Sequence, residues 1–365
     1  FNRPLGHVVK DFNGDGKPDI VVGTTTGLYL LTNQTTAGSS AISFSTQVLT
    51  LSLNIQALAG DDLDGDGKPD LALNPTSGLL LVYKNVSAVG GSISFSRVSL
   101  PALGNVSFYS VAINDIDGDG RPDVVMGANG GTTVYIYRNS SISGTIYFDP
   151  FVGGYATGSS AFALAIGDMD GDGKPDLVTA NYTPSNNISV MRNTTAGPGN
   201  ITFATATSYS SVSYNYSRSV ALGDFNGDGK LDIAVDHYGN GNFVSVFPNI
   251  SVSGTINLGT SVPLATSPLG SNTQGVAMGD VNGDGKPDLV ASNYNTTIVS
   301  VFKNTTASTP TITFANYAAY VDPAGTNGTS ERNNINLVDL NGDGMLDIVR
   351  CNYTTSNLSI FRNMQ

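Results

Sequence analysis

Asp-Met-Asp-Gly-Asp-Gly-Lys-Pro-Asp, at residues 168–176, is the stretch from which the organisation of this chain follows, because it recurs seven times with small variations. The seven copies, called acidic loops below, begin at residues 11, 62, 115, 168, 224, 280 and 339. Each carries Asp or Asn at positions 1, 3, 5 and 9 and glycine at positions 4 and 6. Oxygen side chains alternating around a glycine turn suit a hard cation that takes about six to eight oxygen ligands, so the loops predict calcium sites.

The predicted ligands are the side chains at positions 1, 3, 5 and 9 and the backbone carbonyl at position 7. The acidic loop is not a complete EF-hand, because no acidic residue follows at position 12 and no helical pattern flanks it. Since all seven loops look alike, we interpret up to seven Ca²⁺ ions as structural. Loop by loop, the predicted ligands are Asp11, Asn13, Asp15, Lys17 and Asp19; Asp62, Asp64, Asp66, Lys68 and Asp70; Asp115, Asp117, Asp119, Arg121 and Asp123; Asp168, Asp170, Asp172, Lys174 and Asp176; Asp224, Asn226, Asp228, Lys230 and Asp232; Asp280, Asn282, Asp284, Lys286 and Asp288; and Asp339, Asn341, Asp343, Met345 and Asp347.

The acidity of the chain is a property of these loops. The formal net charge is −12, and 24 of the 29 acidic residues lie inside the loops. Seven divalent ions would bring the formal charge to about +2. With no basic stripe, nucleic acid is not an expected partner. No apolar run is long enough to span a bilayer, and the first ten residues show no signal-peptide pattern. The single cysteine, Cys351, excludes an intrachain disulfide.

The spacing of the loops predicts the fold. Successive loops start 51 to 59 residues apart, and each repeat contains four short stretches rich in β-branched and aromatic residues. A period of about fifty residues with four strands indicates a propeller blade. We therefore predict one all-β domain over residues 1–365, a seven-bladed β-propeller with four-stranded antiparallel blades and one calcium loop per blade. The small residues before each loop place the first strand of each blade next to the central channel.

Closure of the ring is a separate expectation. The seventh repeat ends with its third strand at residues 358–363, and the chain stops at Gln365. Residues 1–4 are therefore expected to supply a short outer strand to the last blade. Pairing of residues 1–5 elsewhere would leave that blade with three strands.

At residues 220–235 the repeat reads Val-Ala-Leu-Gly-Asp-Phe-Asn-Gly-Asp-Gly-Lys-Leu-Asp-Ile-Ala-Val, which resembles the FG-GAP repeat of integrin α-chain propellers and of bacterial VCBS-type repeats. The resemblance covers essentially the whole chain. The chain is also similar to seven-bladed fungal lectins of the Psathyrella velutina type. The lectin resemblance implies binding of N-acetylglucosamine and sialic acid, whereas the integrin resemblance implies a protein-binding adhesion or scaffolding module.

The hairpins between the second and third strands offer candidate ligand residues. In the last four blades they carry the pairs Asn181 and Tyr182, His237 and Tyr238, Asn293 and Tyr294, and Asn352 and Tyr353. An aromatic ring beside an amide or imidazole suits sugar recognition. The alternative is that the tyrosine packs against the neighbouring blade and the asparagine caps the turn. Tyrosines 209, 214, 216, 317 and 320, in the connections between blades, are further candidates.

Asparagine recurs at a second place. Six of the fifteen Asn-x-Ser/Thr sequences fall at the end of the third strand, at Asn33, Asn85, Asn139, Asn193, Asn249 and Asn304, and Asn363 matches them without the motif. We interpret this repeated asparagine as a turn former that bonds its own backbone.

Catalysis finds little support in the sequence. There are two histidines and one glutamate, and nearly all carboxylates belong to the loops, so a glycosidase pair is not expected. A polysaccharide lyase would have to use His237, Tyr238 and Arg218. We predict a non-enzymatic, secreted or surface-displayed propeller that binds glycan between blades. The alternatives are a protein-binding module of a larger surface protein and, less favoured, the lyase.

Overall fold

The computed structural model describes residues 1–100, 108–128, 130–149, 154–157, 160–182, 188–210, 216–239, 242–266, 272–294, 296–307, 311–322 and 335–364. The described residues form 27 strands in seven antiparallel sheets. Blade 1 contains β1 (Pro4–Lys10), β2 (Asp19–Thr24), β3 (Gly27–Asn33) and β4 (Phe44–Thr50); blade 2, β5 (Ile55–Asp61), β6 (Asp70–Pro75), β7 (Leu81–Asn85) and β8 (Phe95–Val98); blade 3, β9 (Phe108–Asn114), β10 (Asp123–Ala128), β11 (Thr133–Tyr137) and β12 (Gly154–Ala156); blade 4, β13 (Ala161–Gly167), β14 (Asp176–Asn181), β15 (Ile188–Met191) and β16 (Thr207–Tyr209); blade 5, β17 (Val220–Gly223), β18 (Asp232–Asp236), β19 (Phe243–Phe247) and β20 (Val262–Ala265); blade 6, β21 (Thr273–Gly279), β22 (Asp288–Asn293), β23 (Ile298–Phe302) and β24 (Ala318–Val321); and blade 7, β25 (Ile335–Val338), β26 (Asp347–Asn352) and β27 (Asn357–Phe361).

The sheets are the blades of a seven-bladed β-propeller, as the repeat predicts. Within each blade the strands pair in chain order, from the first strand to the last. The first strands of neighbouring blades contact one another from blade 1 to blade 7. They are therefore the innermost strands, and the prediction that the small apolar strand lies next to the channel is confirmed.

The second strand of every blade forms the core. Every residue of β2, β6, β10, β14, β18, β22 and β26 is buried. An antiparallel sheet often leaves one face to solvent, but here each sheet has a neighbouring blade on both faces. This explains why the second strands lack an alternation of apolar and exposed polar residues. The apolar clusters lie between adjacent blades, as in the one that joins Val21 of blade 1 to Leu71 of blade 2.

The predicted closure of the ring is wrong. The N-terminal residues join blade 1, because Asn2 O accepts a hydrogen bond from Thr25 N at 3.1 Å and Pro4 pairs with Thr24. The Phe1 ring packs on Tyr29 at 4.9 Å between centroids. Blade 7 therefore has three strands among the described residues. Pro4–Lys10 form the inner strand β1, and Asn2 continues along the same blade through its bond with Thr25.

Blades 1 and 7 are joined by side-chain packing instead of by a shared sheet. Ile20 and Val22 of blade 1 form one apolar cluster with Val349 and Cys351 of blade 7. No helix within the described parts of the chain has the length and apolar character needed to cross a membrane.

Close approach of neighbouring blades can be tested at Gly127 in β10. A Cβ atom at this position would lie 2.8 Å from the backbone oxygen of Ala161 in blade 4 and 2.5 Å from Ser110 Oγ. Because backbone atoms cannot give way as a flexible side chain can, we expect Gly127→Ala to lower the free energy of unfolding by about 1–3 kcal/mol. Thermal and urea denaturation measure this. The control is Gly197→Ala, where a Cβ would meet nothing within 4 Å; equal effects of the two variants would contradict the packing argument.

Candidate metal sites and ligand-binding face

The acidic loops all lie on one face of the propeller, because each connects the first strand of its blade to the second. In the loop at residues 168–176, the carboxylate of Asp168 accepts hydrogen bonds from the N–H groups of Gly171, Asp172 and Gly173 at 2.7, 3.2 and 2.8 Å. Gly171 and Gly173 have φ of 74° and 83°, a left-handed backbone that favours glycine. The position-1 carboxylate makes the same contacts in every loop.

The aspartate at position 9 is the most buried member of each loop. Asp176 is fully buried; its Oδ2 accepts from Met169 N at 2.8 Å and its Oδ1 from Asn193 N at 2.7 Å. Both contacts recur in all seven blades. Burial disfavours the ionised carboxylate. It raises the pKa of the position-9 carboxyl groups, to about 6 at Asp19, Asp176 and Asp232 and to about 7 at Asp70 and Asp123.

The donor atoms fit a hard cation. In three loops, carboxylate oxygens from three aspartates lie within 4.8 Å of one another: 62, 64 and 66; 115, 117 and 123; and 168, 170 and 176. In addition, Asp64 Oδ1 is buried and has no hydrogen-bond partner among the described residues. An ion coordinated by such oxygens would satisfy that atom and neutralise a cluster of like charges. The four loops with Asn at position 3 offer one carboxylate fewer. The three loops with four aspartates can hold a metal, while calcium itself stays a prediction.

A basic side chain beside five of the loops was missed by the sequence reasoning. Arg192 donates from Nε to Asp170 at 2.6 Å and from Nη2 to Asp172 at 2.8 Å, which are positions 3 and 5 of its own blade's loop. Lys84, Arg138, Lys303 and Arg362 pair in the same way with acidic residues of their loops. The signal was present in the sequence, because each of these residues directly precedes the repeated asparagine at the end of the third strand.

The seven asparagines at the ends of the third strands, called bridging asparagines below, join neighbouring blades. Asn193 Nδ2 donates to Pro175 O of its own loop at 3.0 Å and to Ile116 O of the preceding blade's loop at 2.8 Å. Its Oδ1 accepts from Thr195 N at 2.9 Å, which confirms the predicted turn. The same pair of donated bonds occurs at Asn33, Asn85, Asn139, Asn249, Asn304 and Asn363.

One bridging asparagine closes the ring. Asn33 donates to Leu340 O at 2.8 Å, so the same bridge joins blades 1 and 7.

The six bridging asparagines that lie in Asn-x-Ser/Thr motifs are at most 1% exposed. The hydroxyl of each motif also accepts a backbone N–H across the turn to the fourth strand, as Ser251 does from Asn257 at 2.9 Å. The motif therefore has a structural explanation, and the folded protein does not present these six asparagines for glycosylation.

The turn between the third and fourth strands of one blade also covers the acidic loop of the preceding blade. Gly90 N donates to Asn13 O at 2.8 Å, and Gly254 N donates to Asp170 Oδ2 at 3.0 Å. Asn13 Nδ2 returns a bond to Gly91 O at 3.1 Å. Each loop covered in this way belongs to an interface between two blades as well as to a hairpin.

The predicted ligand residues lie on the opposite face. The first member of each pair is buried: Asn181, His237, Asn293 and Asn352 are at most 1% exposed. The side chains of Asn181, His237, Asn293 and Asn352 hydrogen-bond to hydroxyls on the neighbouring third strand, namely those of Ser189, Ser245, Ser300 and Ser359. The tyrosines Tyr182, Tyr238, Tyr294 and Tyr353 are each half-buried. The tyrosines are therefore the members of the pairs that reach the surface, and ligand binding by the pairs stays a prediction.

Arg218 organises an aromatic cluster on this face. Its guanidinium carbon lies 3.6 Å from the ring centroid of Tyr238, 5.0 Å from that of Tyr182 and 5.4 Å from that of Phe162. Nη2 donates to Tyr182 Oη at 3.2 Å, and Nε is buried with no partner in the described structure. Tyr216 stacks on Tyr182 at 4.6 Å and has a φ of 71°, which is unusual for a bulky residue. Such strained residues are enriched at functional sites. Tyr214, another candidate, lies outside the described residues.

The side chain of His237 lies inside blade 5 and does not reach the surface. It is fully buried, and its Nε2 lies 2.7 Å from Ser245 Oγ. Burial lowers the pKa of the imidazole to about 4. The histidine repeats the role that asparagine has in blades 4, 6 and 7, which is to hold the second strand to the third.

Comparison with known proteins identifies the repeat. The FG-GAP-like repeat profile matches residues 11–73, 62–126, 115–179, 168–235 and 280–350, which is more than half of the chain. The chain belongs to the FG-GAP-like repeat family.

Relatives of this FG-GAP-like protein are found by sequence and by fold. Integrin alpha-7 of Homo sapiens is 29% identical over 136 residues, which cover 33% of this chain and 12% of the integrin, and the Mus musculus protein is 28% identical over the same length. The chain thus matches about an eighth of those relatives. Among solved structures, BBS1N in complex with ARL6DN has a TM-score of 0.60 at 12% identity, covering 100% of this chain and 94% of that one. An Agrocybe aegerita lectin, described as recognising non-reducing terminal N-acetylglucosamine, has a TM-score of 0.51 at 18% identity, covering 87% and 80%. At these identities the structures show the fold.

The bridging asparagines of this FG-GAP-like propeller give a direct test. In Asn249→Asp the new carboxylate still accepts a hydrogen bond from Ser251 N. It lacks the two N–H groups that Asn249 donates to Met169 O and Leu231 O. Because two buried carbonyls then face an oxygen, we expect unfolding free energy to fall by roughly 2–4 kcal/mol. Blade 5 has Pro248 where five other blades carry the basic residue, so no ion pair complicates the result.

The matched control for that test is Asn200→Asp, which changes an exposed asparagine in the turn of blade 4. The measurement is the midpoint of thermal unfolding at fixed calcium and pH. A midpoint for Asn249→Asp as high as that of Asn200→Asp would show that the bridges do not hold the blades together.

Proposed function

We propose that this chain is a calcium-stabilised, extracellular propeller that binds carbohydrate on the face opposite the acidic loops. The observation that carries the proposal is the cluster around Arg218, in which the half-buried rings of Tyr182, Tyr216 and Tyr238 reach the surface and Phe162 is buried beneath them. Aromatic rings stack on the apolar faces of sugars, and fixed polar groups orient the hydroxyls. The likeness to a lectin propeller supports the same reading.

Calcium is proposed as the resident ion of the acidic loops. The donors are all oxygens, and the ligand positions are shared by seven loops of the same geometry, which suits a hard cation. When bound, the ion would neutralise clustered carboxylates and fix the hairpin between the first and second strands. The location outside cells is supported by the integrin relatives and by the millimolar calcium that weak sites of this type require.

Binding without catalysis is part of the proposal. Most carboxylates are engaged within the loops, and both histidines are buried with a pKa lowered to about 4 by their surroundings. A group that is neutral and held inside a blade is poorly placed to move a substrate proton.

A protein ligand is the second candidate. It is supported by the integrin relatives and by BBS1N, whose structure was solved in complex with ARL6DN. The same aromatic surface with an arginine at its centre would suit a protein partner, since Tyr and Arg are enriched in the energetically important parts of interfaces.

Calcium binding should depend on pH through the position-9 carboxyl groups. In metal-free protein their pKa is raised to about 6–7, so they carry protons at pH 5 that calcium must displace. Their protonated form also stabilises the metal-free fold, a contribution that is complete below about pH 4 and lost as the pH rises through 6–7. At pH 8 and a hundredfold excess of calcium, each occupied site should add about 2.7 kcal/mol.

The measurement is the difference in melting temperature between calcium and EDTA, taken from pH 5 to pH 8. We expect the difference to grow steeply with pH. Using the difference removes the effect of the buried histidines, which is common to both conditions. Magnesium serves as the control cation, because its strict octahedral geometry fits these loops poorly. A difference that is absent, or as large at pH 5 as at pH 8, contradicts the calcium proposal.

Carbohydrate binding is tested on a glycan array in millimolar calcium. We expect a bound glycan and about tenfold weaker binding in Tyr238→Ala, because the change removes a stacking ring and uncovers Arg218. Tyr147→Ala is the control, since Tyr147 is 55% exposed and lies in the turn of blade 3 away from the cluster. Folded protein that binds no glycan would exclude the lectin function and leave the protein ligand.

A further inference from the structure

A polar cavity, called the central cavity below, lies where the channel opens on the face opposite the acidic loops. Six blades line it with residues at or just before the start of their first strands, such as Gln56 of β5 and Asn336 of β25. The acidic loops follow the other ends of the same strands. The cavity has a volume of about 120 Å³. Pockets that enclose a drug-sized ligand measure about 300–1,000 Å³, so the central cavity fits one group of a larger ligand.

The central cavity is positively charged. Arg218 lines it, and the described part of the lining contains no carboxylate. The Arg218 guanidinium forms no ion pair with a carboxylate of the described residues. Asp236 bonds the backbone instead, because its Oδ1 accepts from Arg218 N and Ser219 N at 2.7 Å each. His7 also lines the cavity, and burial lowers the pKa of its imidazole to about 4, so it is neutral at pH 7.

The lining residues include polar atoms that the fold leaves unsatisfied. Arg218 Nε, Ser110 Oγ and His7 Nε2 are buried and have no hydrogen-bond partner among the described residues. A buried polar atom without a partner costs free energy. Arg218 Nε is a donor only, and a serine hydroxyl and a neutral imidazole can each donate one hydrogen bond. The central cavity therefore favours a group that is rich in acceptor oxygens.

A row of aromatic rings leads away from the central cavity. Tyr109 and Phe162 line the cavity, with ring centroids 4.5 Å apart. Phe162 is 5.5 Å from Tyr182, and Tyr182 is 4.6 Å from Tyr216. Neighbouring rings are inclined by only 35–37°. Phe162 is buried and the three tyrosines are half-buried, so the row places apolar ring surface next to the charged cavity.

We propose that the central cavity binds the carboxylate of a terminal uronic acid, with the remainder of the glycan lying along the row of rings. This inference rests on the proposed carbohydrate function and adds the class of sugar to it. A uronic acid joins a carboxylate to a compact ring whose C–H groups can pack on an aromatic side chain. The carboxylate pairs with the Arg218 guanidinium, and such charge-assisted hydrogen bonds are roughly twice as strong as neutral ones. A sugar with a hydroxymethyl group in its place makes only the weaker kind.

The test compares oligosaccharides that differ only in this group, ending in glucuronic or galacturonic acid or in glucose or galactose. Isothermal titration calorimetry measures the affinity of each for the whole chain in millimolar calcium. We expect the acidic members to bind at least about tenfold more tightly than their neutral counterparts. We also expect this ratio to fall as the salt concentration rises.

The failure of this proposal differs from the failure of the carbohydrate function. Equal affinities of the acidic and neutral members overturn the proposal and leave carbohydrate binding standing. The same holds if the acidic glycans do not bind while another glycan of the array does. Folded protein that binds no glycan at all overturns both.

Two variants locate the carboxylate. Arg218→Gln removes the positive charge, and Asn336→Asp adds a negative charge to the lining from blade 7. Each should lower the ratio of acidic to neutral affinity about tenfold, to near one. A variant that only loosens the aromatic cluster weakens both sugars and leaves the ratio unchanged. Asn200→Asp, on the face that carries the acidic loops, is the control for added charge and should keep the ratio of the wild-type protein.

The variants also decide against the proposal. If circular dichroism shows Arg218→Gln and Asn336→Asp folded and both keep the ratio of the wild-type protein, the carboxylate does not occupy the central cavity. Should Arg218→Gln fail to fold, Asn336→Asp alone decides, because it changes one oxygen for one nitrogen at a half-buried site.

An acidic side chain of a protein ligand is the competing occupant. The probe is an acetylated and amidated hexapeptide with one central glutamate, compared with the same peptide carrying glutamine. Tighter binding of the glutamate peptide, lost in Arg218→Gln, together with no binding of the uronic acid glycans, assigns the central cavity to a protein ligand and overturns the proposal. Binding of the uronic acid glycans with equal, weak binding of the two peptides supports it.

Discussion

One buried carboxylate in each blade, at position 9 of the acidic loop, connects everything else in this propeller. In blade 4, Asp176 receives one N–H from its own loop and one from Asn193 at the end of the third strand. Asn193 in turn donates to Ile116 O in the preceding blade. The same links occur in all seven blades, so a series of hydrogen bonds runs around the ring. Loop geometry, blade closure and contact between blades therefore depend on one side chain per repeat.

The electrostatics of the loops favour a cation there. A buried carboxylate without a compensating charge is costly, and a single loop gathers up to four carboxylates, two of which are buried. Basic side chains compensate part of this negative charge, since Arg138 and Arg192 each contact two loop aspartates. Burial raises the pKa of the position-9 carboxyl groups, so a proton bound there would occupy oxygens that a metal ion would use. Blades 1 and 5 have Thr32 and Pro248 at the basic position, so their loops lack this compensating charge.

Much of the fold could be predicted from the sequence because the repeat is regular. A sevenfold motif fixed the number of blades, the hairpin that holds each loop and the position of the inner strand. The closure was mispredicted because residues 1–4 carry no pattern that distinguishes an outer strand from the start of β1. The basic residue before each bridging asparagine was overlooked although it recurs in five blades. The cluster around Arg218 lies in the part of the repeat that varies, where long-range packing decides which rings meet, and no local pattern shows that.

The ligand predictions failed in part because the sequence does not show which residue at the end of a strand turns inward. Asn181 and His237 were chosen because an amide or imidazole beside a tyrosine suits a sugar. The structure places both inside their blades, bonded to Ser189 and Ser245. Sequence alternation tells which residues share a face of a strand, but at the end of a strand one residue turns inward and the next outward. Only the tyrosines turn outward here.

The six bridging asparagines in Asn-x-Ser/Thr motifs have a consequence for how the protein must be made. In a eukaryotic secretory pathway an oligosaccharide is transferred to such motifs on chains that are still unfolded. A glycan on Asn249 would occupy the space between blades 4 and 5 and remove the donor to Met169 O. Folding and glycan transfer would then compete for the same nitrogen atom, six times along one chain. A host that lacks this modification avoids the competition altogether.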